Sequence, residues 1–106
     1  MFGINSAKHR AIDDFAKTLA DELASRFPVS LEPGTGKKAP DKMLRAFNPV
    51  ATLALAFRKE NGLGVYGKAR LLRGVGEALR ANGYSTEFVE AATSALLKTL
   101  AGRAEG

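Results

Sequence analysis

The sequence predicts an all-α fold: a small bundle of four main helices, a short extra helix before Pro49, and a Pro/Gly-rich loop over about residues 28–40. Three observations carry that prediction. Eighteen alanines and thirteen leucines outweigh thirteen β-branched residues, and that balance favours helix over sheet. Four segments repeat their apolar residues at the 3.6-residue period, and no stretch alternates apolar and polar long enough to demand a strand. Proline or glycine stop signals separate the segments.

The first helix is expected to start from an Asn5 or Ser6 cap, with Ile12, Phe15, Ala16, Leu19, Leu23 and Phe27 on one face. Pro28 stops it. Between Pro28 and Pro40, three prolines and two glycines rule out a continued helix. Asp41 is positioned to cap a short helix from Lys42, which Asn48-Pro49 then interrupts. Proline after an asparagine cap starts a longer helix that runs to about Asn61. Met43, Ala46, Phe47, Val50, Leu53, Ala54 and Phe57 fall within an arc of about 120°. The apolar face therefore keeps its phase across the proline, and the two pieces should pack as a kinked pair.

Gly62 supplies a left-handed stop. The next helix spans about Val65 to Ala81, with Leu71, Leu72, Val75, Ala78 and Leu79 inward, and it ends at Asn82-Gly83. Ser85 caps the last helix, whose stripe is Phe88, Val89, Ala92, Ala95, Leu96 and Leu100. Phe15, Leu19, Phe47, Phe57, Leu72, Leu79, Phe88 and Leu96 should share one core. At this length a second core would leave each half too small to bury a stable interior, so residues 1–106 read as one helical domain, with 1–5 and 102–106 frayed.

Charge is unevenly spread along the chain. Sixteen Lys and Arg against eleven Asp and Glu give a formal +5. Residues 1–36 hold four basic and five acidic side chains, residues 37–80 hold ten and three, and the remainder two and three. The whole excess thus lies in the middle segment, which favours anionic partners there. The N-terminal stretch has no basic segment followed by an apolar one, and the apolar run from Val50 to Phe57 is far short of the ~20 residues that span a bilayer. A cytoplasmic protein that neither enters nor crosses a membrane is expected.

Composition also narrows the chemistry. With no cysteine, disulfides, thiol nucleophiles and Cys-ligated metals are excluded, and His9 as the lone histidine removes most His-based metal sites. Gly34-Thr35-Gly36-Lys37-Lys38 has the composition of a phosphate-binding loop but not its spacing. Leu31 stands where the first glycine is needed, Lys38 stands where a hydroxyl would hold magnesium, and no strand precedes the loop. A helix-turn-helix over residues 53–73 fails because charged side chains fall at its core positions. His9 and Asp13, four apart, should hydrogen-bond on one helix face, with no nucleophile or oxyanion donor beside them. No catalytic residue, cofactor or metal is expected.

Two binding features remain. Lys37, Lys38, Lys42, Tyr66, Arg70, Arg73 and Arg80 form a candidate phosphate or nucleic-acid contact, offset by an Arg73–Glu77 pair. Gly67, Gly74, Ala78 and Ala81 lie along one helix edge and mark a close helix–helix or dimer contact, since glycine inside a helix costs about 1 kcal/mol and needs an offset. The sequence thus points to a non-catalytic protein–protein interaction or self-association module, expected to form a homodimer. The alternative is a nucleic-acid-associated accessory protein acting through residues 37–80.

Overall fold

The structure, a computed structural model, describes the backbone of residues 2–28 and 39–102 and the side chains of residues 8–28 and 45–101. Four helices make up the described chain: α1 (Phe2–Arg26), α2 (Ala39–Asn61), α3 (Val65–Ala81) and α4 (Thr86–Gly102), with no strand among the described residues. The all-α fold with four main helices is the one the apolar periodicity predicts. Most of the expected loop at 28–40, together with the terminal residues 1 and 103–106, lies outside the described residues.

Local chemistry explains most of the boundaries. Helix α1 ends where Phe27 N donates to the Leu23 carbonyl at 2.7 Å and Pro28, without an N–H, cannot add the next bond. Gly62 sits at φ 58° and Gly83 at φ 103°, left-handed positions that an L side chain resists. At the start of α4, the Phe88 N–H donates to the Ser85 hydroxyl at 3.1 Å, the expected cap on the third helical residue.

Two helices differ from expectation. Helix α1 begins at Phe2 rather than behind an Asn5 or Ser6 cap, so residues 2–5 continue the helix. The short helix before Pro49 is not a separate element, since α2 runs unbroken from Ala39 to Asn61 with Asp41, Asn48 and Pro49 inside it. Pro40 falls in its first turn, where a missing N–H removes no bond. Pro49 removes only the bond its own N–H would make to the Arg45 carbonyl. Arg45 and Asn48 are exposed to water there, and the Thr52 hydroxyl donates to the Asn48 carbonyl at 3.1 Å. The in-phase stripe of Ala46, Phe47, Val50 and Ala54 is buried on both sides of the proline, and burying one continuous face outweighs the lost bond.

The helices close a ring in which α1 packs on α3, α3 on α4, α4 on α2 and α2 on α1, with the α1–α3 contact the most extensive. Ile12, Ala16, Leu19, Ala20 and Leu23 of α1 share one buried core with Phe47, Val50 and Ala54 of α2, Leu71, Val75 and Leu79 of α3, and Val89, Ala92, Leu96 and Leu100 of α4. Leu19, Phe47, Leu79, Phe88 and Leu96 are buried as expected, whereas Phe15, Phe57 and Leu72 are only partly buried at the edge of the core. Leu53, expected on the inward arc of α2, is exposed instead, because the buried face of that helix is narrower than the apolar arc of its sequence. Phe15 and Phe57 stack on each other with centroids 4.1 Å apart and so shield one another's outer faces.

Candidate functional site

Helix α3 separates two open grooves, and its side chains decide what each can bind. On the α1 side, Gly74 sits so close to α1 that an added Cβ would lie 2.7 Å from the Ala16 Cβ. At Gly67 the corresponding distances are 3.0 Å to Leu63 Cδ2 and 3.7 Å to Ile12 Cδ1. These two glycines therefore serve close packing inside the chain, which offsets their unfavourable helix propensity. A groove of about 650 Å³ runs beside this seam, lined among others by Lys17, Tyr66, Ala78 and Ala81.

The same seam contains the best-formed polar contact among the described residues. Arg70 grips Asp13 through two parallel bonds, Nε to Oδ1 and Nη2 to Oδ2, each 2.9 Å, the bidentate geometry that a guanidinium offers a carboxylate. The hydrogen bond from Arg70 holds the Asp13 carboxyl below the usual aspartate range. Asp13 thus pairs across to α3, not with His9 as the four-residue spacing suggested. His9 packs instead on Tyr66, with ring centroids 5.5 Å apart, and Arg70 Nη1 donates to the Tyr66 hydroxyl at 3.4 Å.

These contacts change the basic face. Arg70 and Tyr66 stand together on α3, but Arg70 is engaged by Asp13. Arg73 pairs with Glu77 at 3.3 Å, as its spacing predicts, and Arg80 is exposed further along the helix. Lys37 and Lys38 lie outside the described residues, and for Lys42 only the backbone, within α2, is described. The structure therefore brings together Tyr66, Arg70 and Arg73 with two interposed carboxylates, rather than an unbroken run of cations.

On the α4 side the packing is looser. A Cβ on Gly76 would meet Thr93 and Val89 at 3.5 Å, ordinary contact distance. Beyond it opens a groove of about 490 Å³ lined by Leu72, Gly76, Val89, Thr93 and Leu97, with Arg73, Glu77, Arg80 and Glu90 also along it. Leu97 leaves 49% of its surface in water.

No known family, characterised protein or solved structure matches this chain. The site must therefore be read from its own chemistry. Among the described residues, no three His, Cys, Asp or Glu side chains are placed to hold a metal ion, and no helix is long and apolar enough to cross a membrane.

Three contacts escaped the sequence pattern. Tyr84, in the α3–α4 turn, is buried, and its hydroxyl donates to the Phe27 carbonyl at the end of α1. Its ring stacks on Phe88 with centroids 4.4 Å apart, and Phe88 stacks in turn on Phe27 at 5.4 Å. Leu63 is buried between the α2 and α3 termini, and Arg58 Nη1 donates to the Leu100 carbonyl near the end of α4. All three side chains lie in turns or are charged, where helical periodicity carries no signal. An aromatic directly after Asn82-Gly83 was the one available hint.

Proposed function

We propose that this protein is a non-catalytic helical interaction module that self-associates through the outer side of α3 and α4. The observation that carries this reading is Leu97. A leucine left half in water beside an open groove, with Leu72 and Val89 in its lining, costs hydration free energy in the isolated chain that a packed partner recovers, at about 25 cal/mol per Å² of apolar surface covered. The α1 side offers less. Its glycines are filled by α1 and its arginines answered by Asp13 and Glu77.

Light scattering on the full chain across the micromolar range tests the reading, with a mass of twice 11.3 kDa expected. A chain that stays at the single mass through high micromolar concentration overturns it. The second reading, phosphate or nucleic-acid contact through residues 37–80, draws support from Arg80, exposed and without an ion pair to another described residue. Electrophoretic mobility shift with nonspecific DNA and RNA at rising salt tests it. Binding that weakens steeply with salt is the expected mark of lysine and arginine displacing counterions.

A further inference from the structure

The outward face of α4 carries less charge than that of α1. Along α1 the exposed positions include Lys8, Arg10, Asp14, Lys17, Asp21 and Arg26, a mixed-charge surface suited to water. Along α4 the exposed positions are Thr86, Glu87, Glu90, Ala91, Ser94, Leu97, Lys98 and Ala101. At about 100° per residue those from Glu87 onward fall within an arc of about 120°, and Ser94 lies at its centre. Helix packing inside the chain leaves this face uncovered, since α4 packs on α3 and α2 with its opposite side.

The order of residues about Ser94 is self-complementary. Glu90 lies four positions before it and Lys98 four after, so the three form one row inclined to the helix axis by about 26°. When a second α4 lays its own row along the first in the reverse direction, the two helices cross at about −50°, the commonest packing angle in globular proteins. The two-fold axis relating the copies then lies between the helices, across the row, and passes over Ser94. It sets Glu90 of each copy against Lys98 of the other. Leu97 and Ala91, three positions after and before, lie close to that axis, so each Leu97 meets its own counterpart and both are covered together. An interface of this kind uses one patch twice, so its charges and shapes must answer themselves. The small Ser94 at the crossing lets the helix axes approach to about 8–10 Å.

We propose that the partner covering this face is a second copy of the same chain, joined through crossed α4 helices about an axis at Ser94, with reciprocal Glu90–Lys98 pairs. The proposal rests on the self-association reading and adds to it a surface, an orientation and a register. Charge complementarity selects a second copy over an unrelated segment, because Glu90 and Lys98 each find their opposite when the face meets itself in this register, while Glu87, seven positions before Ser94, then faces Ala101.

Charge reversal tests the register. Lys98→Glu alone sets a carboxylate against Glu90 at both ends of the interface and should weaken the dimer about tenfold or more, as like charges facing each other across an interface do. Glu90→Lys should do the same. Combining Glu90→Lys with Lys98→Glu restores both pairs and should bring the dissociation constant back to within about threefold of the parent. Both positions are exposed, and circular dichroism at low concentration verifies that the fold is kept.

Cross-linking tests the axis. The chain has no cysteine, so mild oxidation of Ser94→Cys should give a covalent dimer in high yield. With Cα atoms about 2.3 Å from each helix axis and axes about 10 Å apart, the two facing Cα atoms fall within the roughly 4.4–6.8 Å that a disulfide spans. Ser25→Cys, on the exposed surface of α1, should give little. A dimer whose charge reversals add instead of compensating, or that cross-links equally at both positions, overturns this interface and leaves self-association standing. A monomeric parent chain overturns both.

Discussion

A Cβ placed on Gly74 would come within 2.7 Å of Ala16, whereas one placed on Gly76, two residues along the same helix, would meet Thr93 and Val89 at a comfortable 3.5 Å. The first glycine is required by its neighbour, and the second is not. On the α1 side of α3, backbone closeness and the forked Arg70–Asp13 pair hold two helices in one fixed relation. On the α4 side the helices meet at ordinary distance and leave a groove with a half-exposed leucine. The same residue type, in the same helix, thus marks a joint in one place and spare room in another. Only the opposing helix distinguishes them.

Four measurements probe that contrast, in decreasing order of effect. Leu79, fully buried among residues of the shared core, belongs to both sides at once. Truncation to alanine should cost about 2–5 kcal/mol in a urea titration, combining lost burial with the cavity left behind. Gly74→Ala should destabilise by about 1–3 kcal/mol, because the Ala16 methyl is rigid and one backbone must shift. A neutral result would show that α1 and α3 have slack between them.

Gly76→Ala should act in the opposite direction. The added methyl finds ordinary contact and the helix gains the propensity difference, so stability should rise by about 0.5–1 kcal/mol. Asp13 gives the weakest response. Its carboxyl is lowered in the folded state by the Arg70 hydrogen bond, so the stabilisation from this pair is complete above the ordinary aspartate range. It is lost as pH falls through the lowered folded value. With 47% of the Asp13 side chain in water the loss should be small. Comparison of urea midpoints for the parent and Asp13→Asn between neutral and acid pH isolates it, and the two curves should converge in acid.

Much of this architecture was legible in the residues. The apolar stripes, the glycine stops at Gly62 and Gly83 and the Ser85 cap are local signals, and each marks the boundary that its own chemistry dictates. Pro49 misled because its rule concerns one hydrogen bond, whereas the decision depended on the buried stripe running through it. The site was less legible for a related reason. Spacing paired His9 with Asp13 because a helix sets its own neighbours, and nothing in the order of residues places Arg70, fifty-seven positions later, against that carboxylate. Arg73 and Glu77 meet as their spacing predicts, since both lie on one helix. Gly67 and Gly74 announced a close approach, but the sequence left open whether the opposing helix belonged to this chain.

The two tyrosines of the chain, Tyr66 and Tyr84, occupy opposite environments: the first is 63% exposed and the second 4%. Because the sequence has no tryptophan, the near-ultraviolet and fluorescence signals above those of phenylalanine come from these two rings alone. The molecule therefore carries its own pair of optical gauges. Tyr84, tied to the end of α1, reports whether the bundle is closed, and Tyr66, at the open end of the α1–α3 seam, reports what arrives at the surface. Phenol reagents such as tetranitromethane should modify the folded chain at Tyr66 and spare Tyr84, so that one nitrated ring per chain becomes a coloured label fixed in place without any change of sequence.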